Sequence, residues 1–316
     1  MMRTFRPFRP FRRRGQSVPP LPVFHAEEAH FTTPLPIICK WCGSKDVMKH
    51  GKRGGIQYYL CVKCGRQFTE KDTAPKMRFT IDQIGTALTM FYEGESLASI
   101  SRTFDQIYKE PVNSATVYRW VMRFTKQAIE ATAPFVLSRS DRWAIDETVI
   151  QVGGKNVWFW DIIDDRSRFL VASHLSRARF KRDAITVLAR ARQKVGGVAP
   201  RFIISDRLNS YVDAIEQVFG ADSKHIQSYG FTDEINNNLI ERFHGSIKQR
   251  TKVMRGFKRM DTAYLILQGF GVNYNYFRPH MGIHNQTPAD VAGVRAPFKN
   301  WTDVVRASTK DWHLHQ

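Results

Sequence analysis

The chain has 316 residues, of which 42% are hydrophobic and 12% aromatic, and its formal net charge is +19 at pH 7. This composition excludes a disordered chain and is sufficient for two or three domains with at least one sizeable core. Residues 1–80 hold 16 Lys/Arg against 5 Asp/Glu, so the positive charge is concentrated and an acidic polymer such as nucleic acid is the expected partner. High solubility alone is the alternative explanation.

The N-terminal segment at residues 1–36 repeats Phe-Arg-Pro units and then becomes proline-rich. It is predicted to be a disordered basic tail, suited to nucleic acid by charge and stacking or serving only as an extension. It lacks the apolar stretch of a secretory signal, and no apolar run in the chain reaches the roughly 20 residues that cross a bilayer. The expected location is therefore cytoplasmic, associated with the nucleoid and not with a membrane.

Four cysteines follow as two Cys-x-x-Cys pairs, Cys39 with Cys42 and Cys61 with Cys64, separated by 18 residues. Four thiolates at this spacing favour a tetrahedral structural Zn²⁺, and the intervening residues are typical of a hairpin with strands at 46–50 and 56–60. Residues 37–74 are therefore predicted to form a zinc ribbon. A redox-active pair of thiols is the alternative.

Residues 78–130 change to a helical pattern. Apolar residues recur at helical spacing from Ile81 to Tyr92, and Ser96 and Ser114 are placed to cap a second and a third helix. The third helix carries Arg119 and Arg123, which favours a helix-turn-helix that binds DNA through these two residues. A plain three-helix bundle remains the alternative.

Three successive strands are predicted after Pro134, followed by alternating helices and strands. The predicted fold class is α/β, a mixed sheet flanked by helices, spanning residues 138–292 and followed by a C-terminal tail at 293–316. Catalytic groups of such sheets gather at strand ends, where Asp146 and Asp206 fall.

Three acids are the candidate catalytic residues. Asp146 and Asp206 end hydrophobic strands, and Glu241 follows on a basic helix, with 34 residues between it and Asp206. Hard cations such as Mg²⁺ take carboxylate oxygens, and two such ions stabilise both oxygens of a phosphoryl displacement. Glu147 neighbours the first acid, but strand alternation turns it to the opposite face, so it is left out of the metal shell.

Each acid also has an ordinary structural explanation. Asp206 is placed to cap the following helix, and Glu241 to pair with neighbouring cations on the surface. Asp161, Asp164 and Asp165 compete for the metal, although the segment Asp-Asp-Arg-Ser at 164–167 is more typical of a turn between strands. His244 either contacts DNA or packs.

The order of these elements and acids resembles the ribonuclease-H-like catalytic core of DDE transposases and retroviral-type integrases, and most closely the insertion-sequence family numbered six. The resemblance covers about residues 78–292. It is carried by Trp143, Asp146-Glu147-Thr148, Ser205-Asp206, Tyr211, Asn237-Asn238, Ile240-Glu241-Arg242, Lys248, Gly256-Phe257-Lys258 and the closing segment 274–290. A zinc ribbon before the helix-turn-helix is found only in part of that family.

The resemblance implies that Asp146, Asp206 and Glu241 hold two Mg²⁺ or Mn²⁺ ions, which activate water and then a DNA 3′-hydroxyl without a covalent protein intermediate. Lys248 is seven positions after Glu241, so both lie on one helix face and the lysine is placed to hold phosphate. From Arg242 to Met260 there are seven Lys/Arg and no acid, which predicts that Arg242, Arg250 and Lys252 also contact DNA.

The predicted function is a transposase that recognises the terminal inverted repeats of an insertion sequence and cuts and joins strands of double-stranded DNA. Because strand transfer brings two ends together, a homodimer or higher oligomer is expected. Two alternatives are kept. The first is a non-catalytic DNA-binding regulator that retains a transposase body, and the second is a structure-specific nuclease that cleaves without joining.

Overall fold

The computed structural model describes residues 37–74, 77–137, 140–228 and 238–310. The chain divides into two units, residues 1–37 and 38–316, and every element named below lies in the second. The predicted tail at residues 1–36 lies outside the described residues. Within those residues, no helix combines the length and apolar character that crossing a bilayer requires.

A small antiparallel sheet begins the described chain. Its strands are β1 (Val47–Arg53), β2 (Ile56–Cys61) and β3 (Gln67–Thr69), in the order β1-β2-β3. The hairpin predicted between the cysteine pairs is confirmed, with a turn at Gly54 and Gly55, which both have positive φ. This sheet brings the two cysteine pairs together at one end, because the first pair precedes β1 and the second begins at Cys61, the last residue of β2.

Three helices follow, in agreement with the helical pattern. They are α1 (Ile81–Glu93), α2 (Leu97–Thr103) and α3 (Ser114–Thr132). Thr80 and Gln83 form a capping box on α1, and the Ser96 side chain caps α2 as predicted. The cap of α3 is Asn113 and not Ser114, because the Asn113 side chain accepts the free backbone N–H of Ala115 and Ser114 is already helical.

The central sheet has five strands in the order β6-β5-β4-β7-β8. The strands are β4 (Arg142–Val152), β5 (Lys155–Asp164), β6 (Leu170–Ser176), β7 (Phe202–Ser205) and β8 (Lys224–Gln227). The pairs β4–β5 and β5–β6 are antiparallel, whereas β4–β7 and β7–β8 are parallel. This order and mixed orientation confirm the predicted ribonuclease-H-like sheet.

Helices cover both faces of the central sheet. They are α4 (Lys181–Lys194) and α5 (Asn209–Phe219) on one face, and α6 (Asn238–Val253) and α7 (Met260–Val272) on the other. Neighbouring residues of β5 distinguish the faces: the Trp160 ring packs against Tyr211 of α5, with centroids 5.8 Å apart, and Asp161 contacts His244 of α6. The alternation of strand side chains therefore decides which residues meet α6.

The C-terminal segment contains more ordered structure than a tail. The helix α8 (Pro288–Val291) ends just before this segment, and the segment itself contains α9 (Trp301–Lys310). The Trp301 ring stacks on Tyr92 of α1 at 4.7 Å, and a side chain on Gly85 of α1 would collide with Thr302. One continuous cluster of buried apolar residues joins α1–α3, the central sheet and α9. Within the described residues, the predicted segments 78–130 and 138–292 therefore share a core.

Candidate active site

Asp146 and Asp206 meet where β7 ends. β4 pairs with β7 only from Arg142 to Ala144, so β4 continues past Ser205, the last residue of β7. Asp206 is the next residue, and its carboxylate accepts a hydrogen bond from the Leu208 N–H at 2.9 Å. Parallel strands of open sheets place their carboxyl ends beside such a gap, which is where ligands bind.

Glu147 joins these two aspartates, which the sequence argument did not predict. One carboxylate oxygen from each of Asp146, Glu147 and Asp206 lies within 4.8 Å of the other two. We call these three carboxylates the acidic cluster. Side chains still alternate between the two faces of β4 as predicted, because Glu147 contacts Tyr211 of α5 whereas Asp146 faces α6. Beyond the end of β7, however, the edge of β4 is open, and the glutamate side chain is long enough to reach the gap.

Both carboxylate oxygens of Glu147 already have protein partners. The Tyr211 hydroxyl donates to Oε2, and the Arg179 guanidinium pairs with Oε1. The Glu147 side chain is 2% exposed, so this pair is shielded from solvent. Arg179 also lies 3.9 Å from a carboxylate oxygen of Asp206, and its guanidinium packs over the Trp158 ring. Arg179 is therefore a cation at the acidic cluster that no sequence motif indicated.

Electrostatics at the cluster favour a bound cation. The pKa of Asp146 is raised to about 7, chiefly by burial and also by the nearby negative charges of Glu147 and Asp206, while His244 acts in the opposite direction. A carboxylate that ionises with difficulty beside two others is stabilised by a positive charge placed among them. The three carboxylates therefore fit a divalent metal with oxygen ligands.

His244 of α6 lies between two aspartates of neighbouring strands. Its Nε2 is 3.1 Å from Asp161 and its Nδ1 is 3.6 Å from Asp146, while its side chain is 6% exposed. Burial lowers the pKa of His244 to about 4 and raises the pKa of Asp161 well above its usual value. Burial outweighs the attraction of opposite charges here, so we describe the contact as a hydrogen bond between neutral groups. Of the two possibilities for His244, the structure favours packing.

Glu241 and Lys248 are exposed on α6, one turn before and one turn after His244. Both charges influence the pKa of His244, which places them in the same neighbourhood. Glu241 is not among the carboxylates that lie within 4.8 Å of one another in the described part of the chain. Its role as the third ligand therefore stays a prediction, and the loop that leads into α6, residues 229–237, lies outside the described residues.

The remaining predicted DNA contacts differ in exposure. Arg242, Lys252 and Arg119 are exposed, whereas Arg123 is partly buried. Arg250 departs from this group, because it is 4% exposed and its guanidinium lies 4.0 Å above the Phe91 ring. It occupies the buried stripe of α6, so the excess of positive charge along the helix did not reveal which cations face solvent.

The four cysteines form a separate cluster. The Sγ atoms of Cys39 and Cys64 are 3.7 Å apart, and those of Cys42 and Cys61 are 3.5 Å apart. A tetrahedron with Zn–S bonds of about 2.3 Å has edges of about 3.8 Å, so these separations fit a four-thiolate zinc site and are too long for disulfides. Burial raises the pKa of Cys39 to about 12, so ionisation of that thiol depends on a neighbouring cation.

Comparison with known proteins agrees with this geometry. Residues 140–280 match the family model described as a DDE domain, of the IS240 transposase type. Two relatives from Staphylococcus aureus are the transposase for insertion sequence-like element IS431mec and the transposase for insertion sequence element IS257 in transposon Tn4003. Each is 27% identical over 167 residues, which are 53% of this chain and 71% of the relative.

Solved structures similar to the chain include two retroviral integrase cores. The HTLV-2 integrase catalytic core domain in complex with magnesium has a TM-score of 0.38 and 14% identity, over 50% of this chain and 98% of that one. The catalytic core domain of BIV integrase has a TM-score of 0.33 and 18% identity, over 49% and 94%. The match of residues 140–280 and the two transposase relatives lead to the same conclusion as the order of strands and acids. Residues 140–280 therefore resemble the DDE domain of insertion-sequence transposases.

Proposed function

We propose that this chain is a transposase that cuts and joins DNA strands at the terminal inverted repeats of an insertion sequence, with Asp146, Asp206 and Glu241 as its metal ligands. The observation that carries the proposal is the meeting of the Asp146 and Asp206 carboxylates at the end of β7, within 4.8 Å, beside the basic helix that bears Glu241. Carboxylates gathered next to exposed cations are suited to a metal and a phosphodiester together.

The proposed metals are two Mg²⁺ or Mn²⁺ ions per site, which would stabilise the attacking and leaving oxygens of the displacement. Glu147 is the rival for the third ligand position. Its two oxygens are engaged by Tyr211 and Arg179, whereas Glu241 is exposed and one helical turn from His244. This difference supports Glu241 as the ligand and Glu147 as the residue that holds Arg179 in place.

The other residues of the site have supporting roles in this proposal. His244 contacts Asp146 from α6, and this contact orients the Asp146 carboxylate toward the metal. Lys248, exposed on the following turn of α6, neutralises phosphate. Arg179 lies at the edge of the acidic cluster, where it is placed to bind a non-bridging phosphate oxygen or to balance charge before the metals bind.

The N-terminal segments are proposed to recognise DNA. The thiol cluster of residues 37–74 binds structural Zn²⁺, and α1–α3 present a DNA-binding surface on which Arg119 is exposed. Cutting and joining require two element ends in one complex, so a homodimer or larger assembly is part of the proposal. The proposed partners are the double-stranded element ends and the target DNA.

The test compares wild-type protein with Asp206→Asn on DNA that carries the repeats flanking the gene. With Mg²⁺, the wild type should cleave the repeats and join the ends to a second duplex. The variant should bind the same DNA and give neither product, because one metal ligand has lost its charge. A correctly folded variant that still cleaves or joins would refute the assignment. Binding by the wild type without any metal-dependent product would instead indicate a regulator, and cleavage without joining a nuclease.

A further inference from the structure

A second cluster of cations lies at the opposite end of β4 from Arg142. It lines a cleft of about 680 Å³ between the β4–β5 turn, the end of β6 and the loop from α6 to α7. We call this the basic cleft and define it by Lys155, Arg177, Lys258, Arg259 and Asp261. Lys258 belongs to the Gly-Phe-Lys motif at 256–258, to which the proposed chemistry assigns no role.

The walls of the basic cleft are joined by backbone hydrogen bonds. The Gly153 N–H donates to the Phe257 carbonyl at 2.7 Å, and the Phe257 N–H donates to the Gln151 carbonyl at 2.9 Å. Gly256 has a φ of +82°, and a Cβ there would lie 3.3 Å from the Gln151 carbonyl oxygen. The close approach that this glycine permits fixes Lys258 relative to Lys155 across the cleft.

The charges of the basic cleft are unbalanced. Arg259 is paired with Asp261 through two contacts of 3.0 and 2.6 Å, so its charge is largely neutralised. Lys155, Arg177 and Lys258 are exposed, and no described acidic group lies within 4.0 Å of their charged nitrogens. Three exposed cations around one cleft, with no acidic partner among the described residues, are complementary to a chain of regularly spaced anions.

The basic cleft and the acidic cluster lie at two different points along β4. β4 runs from Asp146 at the acids to Val152 at the cleft, and six strand residues span about 20 Å. Arg177 in the cleft is two residues before Arg179, which lies at the acids. A DNA strand advances about 3.4 Å per nucleotide, so about 20 Å corresponds to about six nucleotides.

We propose that the basic cleft binds the phosphodiester backbone of DNA about six nucleotides from the scissile phosphate. The inference rests on the proposed function, since it assumes that DNA lies at the acids. Lys155, Arg177 and Lys258 each neutralise one phosphate in this arrangement. Contacts with phosphate position a duplex without reading its sequence, so the cleft sets the direction in which DNA leaves the site.

The test measures the affinity of full-length protein for a duplex of about 30 base pairs of arbitrary sequence, three helical turns, at a series of KCl concentrations. The variant combines Lys155→Gln, Arg177→Gln and Lys258→Gln. We expect the slope of log affinity against log salt to become shallower by about 2.7, because each phosphate that the protein no longer neutralises reduces the slope by about 0.9. Each single variant should account for about 0.9 of that change.

The matched control combines Arg166→Gln, Arg201→Gln and Lys224→Gln. These exposed cations lie at the end of the sheet where β4 begins, far from the cleft, and their removal changes the net charge equally. We expect the control to keep the wild-type slope. An unchanged slope in the cleft variant, or an equal change in the control, would overturn the inference. This outcome is distinct from failure of the proposed function, because binding to arbitrary DNA requires neither cleavage nor the acids.

Discussion

The surroundings of His244 differ from those of an ordinary residue on a basic helix. Its two ring nitrogens face Asp146 and Asp161, and the second oxygen of Asp161 has no hydrogen-bond partner among the described residues. A buried acid retained at such a cost is best explained by the imidazole that it orients. His244 and Asp161 therefore act as positioning residues for Asp146, and neither is proposed to touch the reacting atoms.

Removal of this support should weaken metal binding. His244→Phe leaves Asp146 without its partner on α6, and the loss of such a partner commonly costs 10–100-fold in metal affinity. We expect a decrease of that order for Mn²⁺, measured by isothermal titration calorimetry in the absence of DNA. His244→Asn should retain part of the affinity, because its amide occupies nearly the position of the Nδ1 that faces Asp146.

Asp164→Asn provides the matched control for a buried acid on the same strand. Asp164 is 1% exposed at the far end of β5, where it accepts hydrogen bonds from Ser140 and from the Ser167 backbone N–H. Its replacement should lower stability and leave Mn²⁺ affinity unchanged. Wild-type Mn²⁺ affinity in His244→Phe, or an equal decrease in Asp164→Asn, would contradict the positioning role.

At the scale of elements, α6 combines a buried stripe with an exposed cationic face. The stripe contains Ile240, Phe243, His244, Ile247 and Arg250, spaced as helical packing requires. Arg250 replaces the hydrophobic residue expected at its position, and no described hydrogen-bond acceptor reaches its three guanidinium nitrogens. Burial lowers the pKa of this group to about 10, and its principal partner is the Phe91 ring.

Arg250→Met should therefore stabilise the protein. Methionine fills a similar volume with a flexible apolar chain, and replacement of buried ion pairs by apolar side chains can stabilise proteins by about 1–4 kcal/mol. Removal of the cation–π interaction with Phe91, worth about 2 kcal/mol when desolvated, offsets part of this gain. We expect urea denaturation to show a net increase in the free energy of unfolding, with DNA affinity unchanged.

If Arg250→Met instead lowers the free energy of unfolding by more than about 1 kcal/mol, the interaction with Phe91 outweighs the desolvation of the charge. A decrease in DNA affinity would instead restore Arg250 to the DNA-binding residues. Lys252→Met serves as the comparison on the same helix, because Lys252 is exposed. That substitution should leave stability within about 0.5 kcal/mol and weaken DNA binding.

At the scale of the whole molecule, the C-terminal helix closes the core that α1 begins. Trp301 is 1% exposed, stacks on Tyr92, and donates from its indole N–H to the Asn273 side chain at 2.9 Å. Asn273 also reaches back to Glu93 at the end of α1. Residues separated by about 200 positions in the chain are thus held in one cluster that links α1 to the sheet-covering helix α7.

Trp301→Ala should destabilise this shared core severely. Truncation of a fully buried tryptophan typically costs about 3–5 kcal/mol, and the unpaired Asn273 amide adds to the destabilisation. Urea denaturation should show this cost in a single transition for α1–α3 and the central sheet, since they share a core. Arg306→Ala on the same helix should cost no more than about 1 kcal/mol, because its ion pairs with Asp72 and Asp82 are exposed. Two separate transitions, with only one shifted by Trp301→Ala, would contradict the shared core.

Local sequence patterns were sufficient to predict much of the fold and part of the candidate site. Alternating and helical periodicities located the strands and helices of the central fold, because both depend on which side of one element is buried. The spacing of Cys39, Cys42, Cys61 and Cys64 predicted thiols that meet on a hairpin, since a turn of fixed length joins the two pairs. The placement of Asp146 and Asp206 at hydrophobic strands likewise predicted that their carboxylates meet, although Asp146 lies inside β4 and not at its end as predicted, because β4 continues past its parallel neighbour β7.

The tertiary structure decided what depends on contacts between distant elements. Because β7 pairs with β4 only as far as Ala144, the edge of β4 beyond that residue is not covered by β7. The Glu147 side chain can therefore approach Asp146 and Asp206. The packing of α6 against β4 and β5 buries His244 between two aspartates, and the packing of α1 against α6 buries Arg250. Periodicity along one helix shows which residues share a face, but the neighbour that covers the face comes from another part of the chain. The sequence by itself thus determined the acids and their order, and the fold decided which side chains orient them and which cations stay exposed for DNA.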